Sequence, residues 1–208
     1  MPRHQILKDC SLEGKKLTLS DFNVSRETQK RIKTYVQDLI EYNKKHNLIG
    51  SKEVEKIWDR HIIDSLQLLT VLPEGKKIVD VGTGAGLPGM VLFLCGYDVT
   101  LVESNAKKVN FLKSVSRETA KIIHDRCENV KEKFDVITAR AVTNLKDLIS
   151  LTLPISKKNS LFIFPKGRNW KKELLEAEKK YKFDTEIKNS LTSFESRILI
   201  LKNIKCRK

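Results

Sequence analysis

The chain has 208 residues and a formal net charge of +14, from 40 Lys and Arg against 26 Asp and Glu. Its 40% apolar content is enough for a folded core. It contains no uncharged apolar run of about 18 residues and no apolar stretch at its N-terminus, which argues against a membrane span and a signal peptide. The sequence therefore predicts a globular, cytoplasmic protein with an anionic partner, nucleic acid being the leading candidate.

The positive charge is concentrated in the last third of the chain. Residues 143–208 hold 16 basic and 7 acidic side chains, whereas residues 1–76 hold 14 and 11, and residues 77–142 hold 10 and 8. Because Lys outnumbers Arg by 30 to 10, biased composition with solvated lysines is the alternative to an RNA-binding surface. The four cysteines are isolated, so the sequence predicts neither a metal site nor a disulfide framework.

Two amphipathic helices are predicted before the first strand. Ser25 is placed to cap a helix that ends near residues 42–46, and Ser51 to cap a second helix that runs through Leu72. Residues 1–23 are interpreted as a turn with a short helix. We therefore expect residues 1–76 to form an N-terminal helical extension packed on a sheet domain of residues 77–208.

The most informative stretch is a predicted strand, glycine turn and helix. Ile78, Val79 and Val81 form a short β-branched run, three glycines follow at alternate positions, and residues 87–94 are apolar enough for a buried helix. This order presents free backbone N–H groups to a ligand, and glycine both permits positive φ and allows close approach.

Two acidic residues decide how this turn is interpreted. A dinucleotide fingerprint beginning at Gly84 would start too late after the strand, whereas Asp80 at the strand end gives the pattern Asp-x-Gly-x-Gly-x-Gly. The next predicted strand, residues 97–102, leads into Glu103, at the distance from which a carboxylate reaches a ribose. The pattern resembles the nucleotide-binding segment of class I S-adenosylmethionine-dependent methyltransferases. Asp80 has two interpretations: it contacts the amino group of the methionine moiety, or it holds the turn by accepting its N–H groups.

The remainder of the chain continues the alternation of strands and helices. The predicted helices are 107–116, 145–152 and 170–181, and the predicted strands are 121–124, 134–139, 160–164, 183–188 and 197–203. The link between the last two strands is too short for a helical crossover, so they are expected to be antiparallel. The predicted fold is α/β and Rossmann-like: a mainly parallel seven-stranded sheet with a closing antiparallel pair, which binds ligands at the carboxyl ends of its strands.

Several further blocks occur in a fixed order along the chain: Asn47-Leu48-Ile49, Arg60-His61 to Leu66, Asp80 to Gly89, His124 to Glu128, Ile137 to Val142 and Lys166-Gly167. Together they resemble the RsmG (GidB) family of small-subunit rRNA methyltransferases over roughly residues 35–205. The resemblance implies methyl transfer from S-adenosyl-L-methionine to N7 of a guanosine in the 530 loop of 16S rRNA, position 527 in standard numbering. The partner is then 16S rRNA or the small ribosomal subunit.

The resemblance and the turn together supply the candidate site residues. Cys127 and Glu128 take the place of an Ala-Glu pair beside the adenine, and a thiol can mimic a small apolar side chain. Arg140 reaches the site from the end of the fourth strand, toward the cofactor or an RNA phosphate. The predicted cofactor-binding residues are Asp80, Gly82, Gly84, Gly86, Leu87, Glu103, Cys127, Glu128 and Arg140. The predicted RNA-binding residues are Arg60, His61, Lys166, Arg168, Lys171 and Lys172.

N7 of guanine carries a lone pair and no proton, so its methylation needs positioning rather than a base. The chain lacks the (Asp/Asn)-Pro-Pro-aromatic tetrad of exocyclic amine methylation and the Pro-Cys nucleophile of cytosine C5 methylation. A catalytic group is therefore not identified, and Arg140 and Lys166 are the candidates. Two alternatives remain open at this point: a nicotinamide-dependent oxidoreductase, and an RNA-binding protein with the methyltransferase fold but no activity. No metal site and no protein partner are predicted.

Overall fold

The computed structural model describes residues 17–207, so the predicted N-terminal turn falls largely outside the described residues. Seven strands form one sheet in the order β3-β2-β1-β4-β5-β7-β6. The strands are β1 (Ile78–Val81), β2 (Val99–Glu103), β3 (Lys121–His124), β4 (Phe134–Thr138), β5 (Ser156–Lys166), β6 (Tyr181–Asn189) and β7 (Arg197–Cys206).

The sheet is parallel from β1 to β5, and β7 lies antiparallel between β5 and β6. β1 is buried at all four positions, as expected for a central strand covered on both faces. Two hydrophobic clusters, one built around Ile78 and the other around Val79, pack on opposite faces of the sheet. The predicted Rossmann-like sheet with its closing antiparallel pair is confirmed.

Helices cover both faces of the sheet. They are α1 (Arg26–His46), α2 (Ser51–Val54), α3 (Asp64–Leu66), α4 (Gly89–Leu94), α5 (Ala106–Ser116), α6 (Leu145–Thr152) and α7 (Trp170–Lys180). Short 3-10 turns occur at Leu19–Phe22, Gln67–Thr70, Cys127–Asn129 and Leu153–Ile155. Ser25 caps α1 as predicted, since its side chain accepts the Thr28 N–H.

The predicted continuous helix from Ser51 to Leu72 is wrong. The path is helical but broken into α2, a π-helical segment at Trp58–Ile63, α3 and a 3-10 turn, and Gly50 rather than Ser51 takes the N-cap position. The helix breaks because side chains compete for its backbone carbonyls. The Arg60 carbonyl accepts a hydrogen bond from the Arg140 side chain, and the His61 carbonyl accepts one from the Ser65 hydroxyl. These bonds draw carbonyls away from the regular helical pattern.

Smaller differences concern element ends. α4 begins at Gly89 rather than at residue 87, because residues 82–88 form turns instead of helix. β5, β6 and β7 extend beyond the predicted segments, since pairing with neighbours continues into their polar ends. No helix among residues 17–207 has the length and apolarity to cross a membrane.

The helices before β1 pack directly on the sheet layer. One hydrophobic cluster runs from Leu17 and Ile32 through Leu68 to residues of α4, α5 and the sheet. In α1, the Tyr42 ring lies 5.1 Å from that of Phe111 in α5, centroid to centroid. α1 therefore lies over the helices that follow β1 and β2, close to the glycine turn.

Candidate functional site

The glycine turn leaves β1 at its carboxyl end and folds back toward α4. All three glycines, Gly82, Gly84 and Gly86, have φ between +63° and +100°, a region unfavourable for other residues. A Cβ at Gly84 would meet nothing closer than 3.9 Å, whereas one at Gly86 would lie 2.6 Å from the Met90 Cβ. Gly84 thus faces open space that a ligand can approach, and Gly86 faces the interior.

A carboxylate buried under the turn holds its shape. Oδ2 of Asp80 accepts the Thr83 hydroxyl at 2.5 Å and the Gly89 N–H at 2.8 Å, while Oδ1 is buried without a hydrogen-bond partner. Burial raises the pKa of Asp80 to about 7, against opposing effects of these two hydrogen bonds and of Arg140. The contacts match the turn-holding interpretation, and binding of the cofactor by Asp80 stays a prediction.

The close packing of α4 on β1 depends on Gly89. A Cβ at this position would lie 2.4 Å from Leu101 Cδ2 and 2.6 Å from Asp80 Oδ2. Leu87-Pro88-Gly89 therefore matters for packing of helix on strand, which is the role of the last glycine in related βα turns.

Gly89→Ala is expected to lower the free energy of unfolding by about 2 kcal/mol, because the added methyl group must displace the buried Asp80 and Leu101 side chains. Thermal unfolding should show a fall in Tm of roughly 4–8 °C. Gly167→Ala is the matched control, since a Cβ there meets nothing within 4 Å and no positive φ is involved. Equal stability of the two variants would contradict the packing role.

Glu103, at the end of β2, forms a hydrogen bond to the glycine turn. Its Oε2 accepts the Gly84 N–H at 2.9 Å and its Oε1 accepts the Asn105 N–H at 2.8 Å. Each carboxylate oxygen has a second lone pair, so two acceptor sites remain for two neighbouring hydroxyls. These acceptor sites and the open side of Gly84 suit a pair of neighbouring hydroxyls, and binding of the cofactor ribose by Glu103 stays a prediction.

Tyr35 of α1 also supports the turn, a contact that was not predicted from the sequence. Its hydroxyl donates to the Ala85 carbonyl at 2.7 Å, and burial raises the pKa of Tyr35. The signal that could have identified it is a tyrosine on an otherwise apolar stripe, because a buried tyrosine hydroxyl needs a partner.

Arg140, at the end of β4, makes hydrogen bonds to the interrupted helical segment Ser51–Leu72, which we call the broken helix. Nη1 donates to the Arg60 carbonyl at 2.9 Å and to Asp64 Oδ2 at 3.0 Å, and Nη2 lies 2.7 Å from His61 Nδ1. Burial and then the charge of Arg140 lower the pKa of His61, whose Nε2 is 3.1 Å from Glu53 Oε2. His61 is therefore neutral here, with Nδ1 as the acceptor. The guanidinium of Arg140 is engaged inside the protein.

The predicted basic residues at the end of β5 fall into two groups. The ammonium group of Lys166 is 2.9 Å from Glu173 Oε2 and donates to the Thr143 carbonyl at 2.8 Å, with its side chain only 9% exposed. In contrast, Arg168, Lys171 and Lys172 are exposed at the start of α7. We call these three residues the α7 basic cluster; Lys166 lies beneath it.

The two residues predicted to lie beside the adenine, Cys127 and Glu128, follow β3. Cys127 is buried with its Sγ 3.6 Å from the Leu151 carbonyl, and burial raises its pKa to about 11, so the thiol is neutral and behaves as a small apolar group. Glu128 is exposed and lies 3.7 Å from Arg126. The link between β3 and β4, residues 125–133, contains the 3-10 turn Cys127–Asn129 and no α-helix.

Concavity alone does not locate the site. A cavity of about 590 Å³ lies between residues 21–28, the 3-10 turn at residues 67–70 and β6, away from the glycine turn. A small depression of about 90 Å³ lies at the carboxyl edge of the sheet, and its lining includes Arg140, Lys166 and Arg197. The edge position, the charges and the turn geometry identify the candidate site, not the larger cavity.

The sequence pattern of the family described as "GidB: rRNA small subunit methyltransferase G" matches residues 28–201. A protein of Methylorubrum populi named ribosomal RNA small subunit methyltransferase G is 37% identical over 87% of this chain and 91% of its own length. One of the same name from Rhodopseudomonas palustris is 39% identical over 81% of this chain and 78% of its own length.

Solved structures share the fold at low sequence identity. A TehB-like SAM-dependent methyltransferase from Corynebacterium glutamicum superimposes with a TM-score of 0.56 at 15% identity, covering 74% of this chain and 96% of that one. M. jannaschii TYW2 in complex with AdoMet gives a TM-score of 0.52 at 16% identity, covering 71% and 76%. The likeness supports the fold, independently of the sequence matches.

Proposed function

The chain belongs to the GidB family of rRNA small subunit methyltransferases G, and from that membership we propose that it methylates 16S rRNA. The methyl donor is S-adenosyl-L-methionine and the acceptor is N7 of a guanosine in the 530 loop, position 527 in standard numbering. The family match over residues 28–201 carries this proposal. With this substrate, we propose that the enzyme acts in the cytoplasm on 16S rRNA or on the small ribosomal subunit.

The residues around the turn fit the cofactor. The open side of Gly84 allows close approach, and Glu103 retains two acceptor sites for the ribose hydroxyls. The adenine is expected beside Cys127, whose neutral thiol behaves as a small apolar group. When bound, S-adenosyl-L-methionine supplies an electrophilic methyl group on a sulphonium.

The protein groups act by positioning rather than by proton transfer. Guanine N7 has an in-plane lone pair and no proton, so the site must align acceptor and donor and exclude water. Arg140, bound to Asp64 and the Arg60 carbonyl, holds the end of β4 against the broken helix beside the site. We propose that Lys166 likewise holds the end of β5 against α7, through its ion pair with Glu173.

Methylation mapping tests the function. Small subunits from cells lacking the gene are incubated with the protein and labelled S-adenosyl-L-methionine, and the rRNA is examined for N7-methylguanosine. One new N7-methylguanosine in the 530 loop is the expected result, and absence of transfer would contradict it. Calorimetry with NAD(H) addresses the oxidoreductase alternative, because tight NAD(H) binding without affinity for S-adenosyl-L-methionine would favour that class.

The α7 basic cluster is proposed to contact RNA phosphates. Reversing two charges, Lys171→Glu with Lys172→Glu, is expected to weaken RNA binding and to reduce the slope of log affinity against log salt concentration by about 1.5. Reversal of Lys179 and Lys180, at the other end of the same helix, is the matched control. Binding titrations at several salt concentrations measure both quantities; an unchanged slope in the first variant would remove the cluster from the RNA surface.

A further inference from the structure

Phe194 is the most exposed large apolar side chain among residues 17–207, at 88% of its full accessible area. It lies on the loop Ser190–Ser196 between β6 and β7. Arg197, which follows this loop, pairs with Lys166 at the end of β5. The loop therefore lies at the carboxyl edge of the parallel strands, where the glycine turn and Arg140 also lie.

The loop is held in place from below. The Leu191 N–H donates to Oε1 of buried Gln67 at 2.8 Å, and the Thr192 hydroxyl donates to Asp64 Oδ1 at 2.8 Å. Asp64 is also the carboxylate that pairs with Arg140, so the loop shares one hydrogen-bond network with the end of β4. Phe194 is thus presented on an anchored loop, which reduces the entropy lost when a partner binds.

Arg197 connects the loop of Phe194 to a second aromatic ring and a second cation. Arg197 donates to the Phe194 carbonyl at 2.7 Å, and its guanidinium carbon is 5.5 Å from the centroid of the Trp170 ring. The ammonium group of Lys171 lies 5.4 Å from the same centroid. Within the loop itself, Glu195 is the single charged residue. An exposed aromatic ring beside a basic surface is the arrangement that binds unpaired nucleotides.

The exposed ring of Phe194 is suited to bind a nucleobase rather than a protein. Phe194 is flanked in sequence by the polar residues Ser193 and Glu195, and one aromatic ring presents an apolar area far smaller than a protein-docking patch. One ring matches the face of one nucleobase, and the cations Arg197 and Lys171 supply positive charge for the phosphates.

We propose that Phe194 stacks on an unpaired base of the substrate RNA that flanks the guanosine to be methylated. The inference rests on the proposed function. Ser190, Ser196 and Arg197 line the small depression that Arg140 also lines, so the loop borders the space next to the end of β4. A guanine drawn toward the cofactor leaves its neighbour without a stacking partner, and Phe194 supplies a replacement face.

The test measures binding of a hairpin RNA carrying the 530-loop sequence by fluorescence anisotropy. Phe194→Ala should lower the affinity about tenfold or more, Phe194→Leu should behave similarly, and Phe194→Tyr should remain close to the wild type. The salt slope should not change, because no phosphate contact is lost. Leu175→Ala, which removes another exposed apolar side chain, is the matched control.

A second hairpin with abasic loop positions isolates stacking: wild type and Phe194→Ala should bind it equally. Full affinity of Phe194→Ala or Phe194→Leu for the intact hairpin would overturn the proposal, as would an unchanged defect on the abasic RNA. Methyl transfer to the hairpin and to unmodified small subunits is measured in parallel. If the wild type methylates RNA while Phe194→Ala binds normally, only stacking is wrong; if the wild type neither binds nor methylates either RNA, the proposed function is wrong and stacking with it.

Discussion

Replacing Glu103 with alanine is expected to weaken binding of S-adenosyl-L-methionine by about a hundredfold. The carboxylate has two free acceptor sites, and each hydrogen bond from a ribose hydroxyl to a charged acceptor contributes about 1.5 kcal/mol, so losing both corresponds to roughly two decades in Kd. The substitution also frees the Gly84 and Asn105 N–H groups that Glu103 now holds. Isothermal titration calorimetry measures the change directly.

Two variants make the Glu103 result specific. Glu74→Ala removes an exposed carboxylate outside the site and should leave affinity unchanged. Glu103→Gln keeps the side-chain shape but replaces one acceptor oxygen with an NH₂ group, which donates. This NH₂ group would face the Gly84 or Asn105 N–H, also a donor. The affinity of Glu103→Gln for S-adenosyl-L-methionine should therefore lie between those of the wild type and Glu103→Ala. An alanine variant with wild-type affinity would rule out Glu103 as the ribose ligand, whatever its effect on stability.

Local sequence patterns predicted the sheet because its signals are short-range. The β-branched run at Ile78–Val81, the alternate glycines after it and the short link before Arg197 each specify their own segment. The prediction therefore extended to the antiparallel pairing of β6 and β7. It failed at the helix after Ser51, where bonds from the distant Arg140 side chain alter the carbonyl partners. Such a break has no local sequence signal.

The same distinction applies to the site. Glu103 was predicted as a site residue because the strand–turn–helix–strand unit fixes its spacing from the glycines, and in the structure its carboxylate accepts the Gly84 N–H. Lys166 looked like an RNA contact because its neighbours in sequence are basic, yet it is paired with Glu173 inside the protein. The anchored loop that presents Phe194 depends on Gln67 and Asp64, more than 120 positions earlier. Contacts over such separations follow from the fold and not from spacing.

Asp80→Asn is expected to change how stability depends on pH. The folded protein keeps the Asp80 proton up to a pKa of about 7, raised by burial, whereas the unfolded chain releases it near 3.8. The folded state therefore binds more protons in this range, so the contribution of Asp80 is fully present below pH 4 and is lost as the pH rises through 7. Between pH 5 and 8 the free energy of unfolding of the wild type should fall by about 3 kcal/mol relative to that of Asp80→Asn.

Asparagine suits this comparison because its carbonyl oxygen can still accept from the Thr83 hydroxyl and the Gly89 N–H, so the turn keeps both bonds. His61 contributes with the opposite sign: its pKa is lowered in the folded state, so its contribution is present above pH 6.5 and is lost as the pH falls below that value through the folded pKa. The free energies of unfolding of the two proteins, measured by urea unfolding, are subtracted at each pH. The contribution of His61 cancels in this difference, since His61 is present in both proteins. A difference that stays constant from pH 5 to 8 would mean that Asp80 is ionised throughout, and that its unpartnered Oδ1 carries a buried negative charge.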